Sequence, residues 1–223
     1  MKKVEQLVEQ MLTSAENLDD GLLANSLLSE FHRGAPLAYL RPLLLSPDHR
    51  VAALGAWIAS ELGQKGKPLL DAVSPLLSHP NRRVRFWIID CVLLWAGPSD
   101  GREISQAACL IDDPEKAVRW KAMIFLYRAS TDQLEAALAF LESEDSRSPN
   151  AVALRWLLSV PACDTETIAR ELRGPDARLR KYAAVAAARL GSQNKQPLAA
   201  AALSDDPEVA EFAADRLAPT NGR

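Results

Sequence analysis

Three histidines, His32, His49 and His79, are the side chains of this chain whose ordinary pKa lies near neutrality. Each stands at a segment end or in a turn, followed by Arg33, Arg50 or Pro80, and reads as a surface residue. No HExxH, P-loop or GxSxG pattern is present. Three cysteines, Cys91, Cys109 and Cys163, are an odd number at wide spacing, with no CxxC and no Cys/His pairing. That spacing indicates neither a zinc site nor a disulfide framework. Cys91 and Cys109 lie in apolar runs, where a reduced thiol behaves as a small buried hydrophobe. The expectation is a chain with no catalytic residues, no metal and no cofactor.

Arginine and tryptophan are distributed in a way that suggests binding instead. Trp57, Trp87, Trp120 and Trp156 fall in apolar, Gly- and Pro-poor segments interleaved with Arg50, Arg82, Arg83, Arg85, Arg119, Lys121, Arg178, Arg180 and Lys181. Trp and Arg are the residues most enriched at binding hot spots. The run Val84 to Trp95 is the richest of these segments, with Phe86-Trp87 near its start and Trp95 at its end.

The elements that position these residues follow from an internal repeat. A small or acidic residue and a nearby Pro, then a few polar residues, then Val or Leu opening a helix, recur along the chain. The copies are Ser46-Pro47-Asp48-His49-Arg50-Val51, His79-Pro80-Asn81-Arg82-Arg83-Val84, Asp113-Pro114-Glu115-Lys116-Ala117-Val118, Gly174-Pro175-Asp176-Ala177-Arg178-Leu179 and Asp205-Asp206-Pro207-Glu208-Val209. The opening residues are separated by 33, 34, 61 and 30 positions, so a degenerate copy belongs near Ser148-Pro149-Asn150-Ala151-Val152. A shorter helix precedes each turn and a longer one follows it. Gly63, Gly97 and Gly191 mark the ends of the longer helices. The stretch Glu142 to Pro149 reads as an irregular polar linker. Leu and Ala dominate, Gly and aromatics are sparse, and 48% of residues are hydrophobic, which suits helices around a sizeable core.

Asp/Ser-Pro in the turn, Val84-Arg85, Val118-Arg119 and Leu179-Arg180 after it, and small residues one turn later carry a family resemblance. Those small residues are Gly55-Ala56, Ala122, Ala183-Ala184 and Ala213-Ala214. On these residues the chain resembles the HEAT family of helical repeats, in its short bacterial HEAT-like form, over residues 36–218. Ile88-Ile89 depart from the small pair, and the copy near 150 lacks the motif. The resemblance implies an all-α fold, a right-handed α-α superhelix (a HEAT-like solenoid) of about six helix pairs. It would form one domain over 1–223: capping helices in 1–35, repeats in 36–218 and a tail in 219–223. Stacking would bury both faces of each pair.

Counted from the opening residue, the core falls at 0, +4, +5 and +8. Trp120 at +2, Trp87 at +3 and Trp57 at +6 lie off that stripe, whereas Trp95 at +11 closes the core. In a right-handed stack the second helices line the concave face. Trp57, Arg82, Arg83, Phe86, Trp87, Arg119, Trp120 and Trp156 are therefore the candidate partner-binding residues. Arg85, Arg119 and Arg180 also suit a structural ladder to Asp48, Asp113, Asp176 and Asp206. The reading is a non-catalytic protein-binding module, an immunity protein neutralising a toxin or a scaffold/adaptor, whose partner carries an acidic surface. The resemblance also offers enzymes. An alkylpurine-glycosylase-like protein would use a set such as Trp87, Asp90, Arg119, Trp120 and Trp156, and a bilin-lyase-like protein would use a groove. The net charge of −3 counts against nucleic acid. The iron-binding HEAT-like enzymes need His-Glu pairs, and the chain has none. The start, Met-Lys-Lys-Val-Glu-Gln-Leu, lacks an apolar core, and no run reaches the length of a membrane span, so a cytoplasmic location is expected.

Overall fold

The computed structural model describes residues 2–13, 21–160, 164–191 and 194–218. Among them are fourteen α-helices and no strand, forming seven consecutive pairs. The chain divides into two compact units, residues 1–96 and 97–223.

Unit 1 holds α1 (Lys2–Thr13), α2 (Leu22–His32), α3 (Arg41–Leu44), α4 (His49–Glu61), α5 (Leu70–Val73) and α6 (Arg82–Trp95). The short first helices of its repeats are not continuous. Leu37–Leu40, Gly63–Leu69 and Ser74–Ser78 are 3-10 turns flanking α3 and α5. Pro42, Pro68 and Pro75 explain the breaks, since each lacks the N–H that a longer α-helix would use. The second helices α4 and α6 are regular and pack side by side. Gly55 lets α4 approach α3 closely, and a Cβ there would fall 3.0 Å from Leu43 Cβ. Trp95 is 1% exposed, its indole N–H donates to Gly63 O at 2.6 Å, and its ring fills the space a side chain on Gly66 would need. Ile88 and Ile89 are fully buried, so the bulky pair of this repeat is core.

Unit 2 holds α7 (Gly101–Cys109), α8 (Lys116–Arg128), α9 (Thr131–Asp145), α10 (Pro149–Ser159), α11 (Thr165–Leu172), α12 (Ala177–Leu190), α13 (Gln196–Ala201) and α14 (Pro207–Leu217). The stretch Glu142 to Pro149 is not the irregular linker expected. Helix α9 continues through Asp145, and only residues 146–148 connect it to α10. A capping box at Ser130 and Gln133 starts α9. Arg155 of α10 closes the connection by donating to Glu142 Oε1 at 2.9 Å and Ser146 O at 3.0 Å.

The degenerate repeat also interrupts the regular order. Helix α9 packs on α7 and α10 packs on α12, while α8 packs directly against α12 and α14. Equivalent second helices therefore do not follow one another in simple succession here. The small residues of α12 permit the contact: Ala183, Ala184 and Ala187 are completely buried, with Tyr182 buried beside them.

The recurring turn residue is mainly a helix cap. Asp48 Oδ1 accepts from Arg50 N at 2.7 Å, Asn81 Oδ1 from Arg83 N at 2.8 Å and Asp176 Oδ1 from Arg178 N at 2.8 Å. Asp206 Oδ1 accepts from Glu208 N at 3.1 Å. Such caps are worth about 1 kcal/mol each. Gly63 and Gly191 close their helices with φ of +54° and +44°. Gly97 does not: α6 ends in extended backbone at Ala96. The expected tail 219–223 and Cys163 lie outside the described residues.

Candidate functional site

In unit 1 the turn before α6 is tied to the start of α4. Asn81 caps α6 and also donates through Nδ2 to His49 O at 3.3 Å. His79 Nδ1 accepts from Asn81 N at 3.0 Å, and the His49 and His79 rings meet edge-on at 5.2 Å. Burial, then the neighbouring His49, holds the His79 imidazole below its usual pKa. These contacts set Arg50 beside Arg82 and Arg83.

Two turns beyond Arg50 stands Trp57 and one turn beyond Arg83 stands Trp87, both half-buried. Arg50, Arg82, Arg83, Trp57 and Trp87 enclose a hollow of about 400 Å³, with Ala53 and Leu54 on its floor and no acidic residue in its lining. Arg50 and Arg83 form no ion pair among the described residues. Phe86 is half-buried and buttresses Trp87 edge-to-face, with ring centroids 4.9 Å apart at 88°. Rings held this way present a large contact area at little entropic cost.

In unit 2 the arginines that follow the opening apolar residue of the second helices, Arg119 and Arg180, are ion-paired. Arg119 returns Nη1 to the carbonyls of its own turn, Asp113 O at 2.7 Å and Pro114 O at 2.9 Å. Its Nε donates to Glu208 Oε2 at 2.9 Å, and Nη2 also bonds the Glu208 carboxylate. Arg119, aided by buried Lys181 at 3.5 Å, holds the Glu208 carboxyl below its ordinary range. Arg180 repeats the scheme, with Gly174 O and Pro175 O at 3.0 Å and Asp206 Oδ2 at 2.9 and 3.1 Å. Arg178 donates to Asp112 Oδ2 at 2.6 Å.

The expected ladder is thus present in part with altered partners. Arg180 meets Asp206 as expected, whereas Arg119 takes Glu208 from a helix 89 residues later, because α8 packs directly on α14. The side chains line a cavity of about 1120 Å³ between the turns of α8, α12 and α14.

Trp120 is half-buried, edge-to-face on Phe212 at 5.8 Å, and faces a different hollow. Trp156 sits half-buried on α10, beside ion-paired Arg155, and lines neither hollow. Sequence reasoning missed Lys181 as a buried cation and missed Tyr127, Arg128, Arg189 and Arg216 around Trp120. A signal for Tyr127 and Arg128 was available: positions 120, 121, 124, 127 and 128 fall on one helical face.

Burial raises the Cys91 thiol well above its usual pKa and pushes Cys109 up to about 11, Asp112 adding to the latter. Among the described residues no cluster of three or more His, Cys, Asp or Glu is placed to hold a metal ion. Nor is any described helix long and apolar enough to cross a membrane.

No protein-family model matches the chain, and no curated protein matches it. Among solved structures it is similar to an engineered protein at 16% identity and a TM-score of 0.50, covering 97% of this chain and 96% of that one. It is also similar to the HEAT-like repeats protein of the archaeon Thermococcus onnurineus NA1, at 12% identity and a TM-score of 0.50, covering 96% and 95%. The fold is that of a HEAT-like helical repeat.

Proposed function

We propose that this chain is a non-catalytic protein-binding module that seats an acidic surface of its partner in the hollow between α4 and α6. The observation that supports this most is the convergence of Trp57 and Trp87 with Arg50, Arg82 and Arg83, with no acidic residue in the lining. Half-exposed tryptophans supply apolar area that a partner can bury. Guanidinium groups favour carboxylates, and Arg50 and Arg83 meet none in an ion pair among the described residues. A HEAT-like scaffold suits the role, because helix pairs stacked on one another hold such side chains on a rigid surface. Immunity protein and scaffold or adaptor are the two roles that fit a module of this kind. They differ in whether binding abolishes an activity of the partner.

The test is capture from a lysate of the source cells with tagged wild-type protein and with a Trp57→Ala/Trp87→Ala variant, partners being identified by mass spectrometry. An acidic-surfaced protein retained by the wild type and reduced at least tenfold by the variant is the expected result. An Arg50→Glu/Arg83→Glu variant, altering only exposed side chains, gives the same loss without disturbing the core. Equal recovery by all three proteins contradicts the assignment. A captured toxin whose activity falls on binding selects the immunity role; a partner whose activity persists selects the scaffold.

A further inference from the structure

We propose that the hollow between α8, α12 and α14 is a second binding site, one that takes a carboxylate-rich peptide segment. The proposal rests on the reading of this chain as a protein-binding module but uses none of the residues of the α4–α6 hollow. Helix α8 contributes one continuous face to it: Trp120, Lys121, Ile124, Tyr127 and Arg128. Arg189 enters from α12 and Arg216 from α14. The hollow is wide, about 870 Å³, and four of its lining residues are cations while none is an acid.

Two of the cations are held in place before any ligand arrives. Arg189 donates to the carbonyls that end α8, Leu126 O at 2.8 Å and Ala129 O at 2.9 Å, which fixes a guanidinium in the wall. It also compensates the negative end of the α8 dipole. Arg216 lies over the Tyr127 ring at 5.5 Å, a cation–π arrangement, while bonding its neighbour Asp215. Arg128 stands exposed at the rim with no ion pair among the described residues. Trp120 is steadied by Phe212.

The shape and charge select the ligand class. The guanidinium groups come from three helices, Arg128 from α8, Arg189 from α12 and Arg216 from α14, around a hollow of about 870 Å³. A single small anion cannot use charges so spread, but carboxylates spaced along a peptide can. Trp120, Ile124 and Tyr127 lie between the cations and offer apolar contact to the residues between those carboxylates. A nucleic-acid strand carries a charge at every step and few apolar groups, and it would meet a protein of net charge −3.

Fluorescence anisotropy with a labelled ten-residue peptide alternating Glu and Leu tests the site directly. The comparison ligands are the same peptide with Lys for Glu and a single-stranded oligonucleotide of matched charge. The acidic peptide should bind, and more weakly as salt rises; the Lys peptide should not. Arg128→Glu, on an exposed side chain, combined with Arg216→Glu, on a half-buried one, should weaken binding at least tenfold. The charge-matched control Lys67→Glu/Lys195→Glu, exposed and outside the lining of the hollow, should change it less than twofold. Equal loss in the two double variants, no binding of the acidic peptide, or tighter binding of the oligonucleotide would each overturn the proposal. The peptide assay reads this hollow whether or not the α4–α6 hollow holds a protein, so the two readings fail separately.

Discussion

Arg83 and Arg178 stand at the same point of the repeat, one residue before the apolar residue that opens the second helix. In unit 2 Arg178 donates to Asp112 at 2.6 Å, whereas in unit 1 Arg83 lines a hollow with Arg50, Trp57 and Trp87 and meets no carboxylate among the described residues. The next arginines of the pattern, Arg85, Arg119 and Arg180, all return Nη1 to the two carbonyls of their own turn. In unit 2 that bond is joined by Glu208 on Arg119 and Asp206 on Arg180. One repeated cationic position therefore serves two ends. Where the packed neighbour offers an acid, the cation is part of the scaffold. Where the turn is built from His79 and Asn81 instead, Arg83 stands at a surface beside Arg50.

The largest test of this contrast is Arg119→Ala against Arg83→Ala. The Arg119 and Glu208 side chains are each under one-fifth exposed. Removing Arg119 leaves a half-buried carboxylate and two turn carbonyls without their donor, and should cost about 2–3 kcal/mol in chemical denaturation. Arg83→Ala should change stability by no more than about 0.5 kcal/mol. Equal costs would erase the distinction. A double-mutant cycle on Arg178 and Asp112 sharpens it, with an expected coupling of about 1 kcal/mol; Arg83 paired with any acid of unit 1 should show none.

Acidification separates the units in a third way. His79 has its folded pKa lowered by burial, then by His49, so its contribution is complete above about 6.5 and is lost as pH falls through the lower folded value. Glu208 has its folded pKa lowered chiefly by Arg119, so its contribution is complete above about 4.5 and is lost below that. Between those values hydrogen exchange should quicken at the start of α6 but not at the start of α14, by less than tenfold, and His79→Gln should abolish the change. The smallest effect is expected at an unsatisfied buried group of unit 2. The Tyr182 hydroxyl is fully buried without a hydrogen-bond partner, so Tyr182→Phe should be neutral or stabilising by up to about 1 kcal/mol. A clear destabilisation would reveal a bond the geometry does not contain.

The sequence conveyed the repeat because the turn residues act locally: Asp48, Asn81, Asp176 and Asp206 cap helices within two or three residues of themselves. Trp95 as core and Trp57, Trp87 and Trp120 off the main stripe were legible from helical periodicity for the same reason. What could not be read was which repeat touches which. Glu208 on Arg119 and the hollow around Trp120 both follow from α8 packing on α14, a contact between residues some 90 positions apart that periodicity does not encode. The 3-10 breaks at Pro42, Pro68 and Pro75 were present in the letters. Their apolar surroundings masked them, since Leu at helical spacing fits a broken helix as well as a whole one.

The α4–α6 hollow is the proposed seat of a protein partner. The most direct measurement is hydrogen–deuterium exchange of the full chain with and without the captured partner. Protection should rise from Arg50 to Trp57 of α4 and from Arg83 to Trp87 of α6, and the Trp57→Ala/Trp87→Ala variant should show none under the same conditions. Protection confined to the first helices of the repeats, with α4 and α6 unchanged, would contradict it.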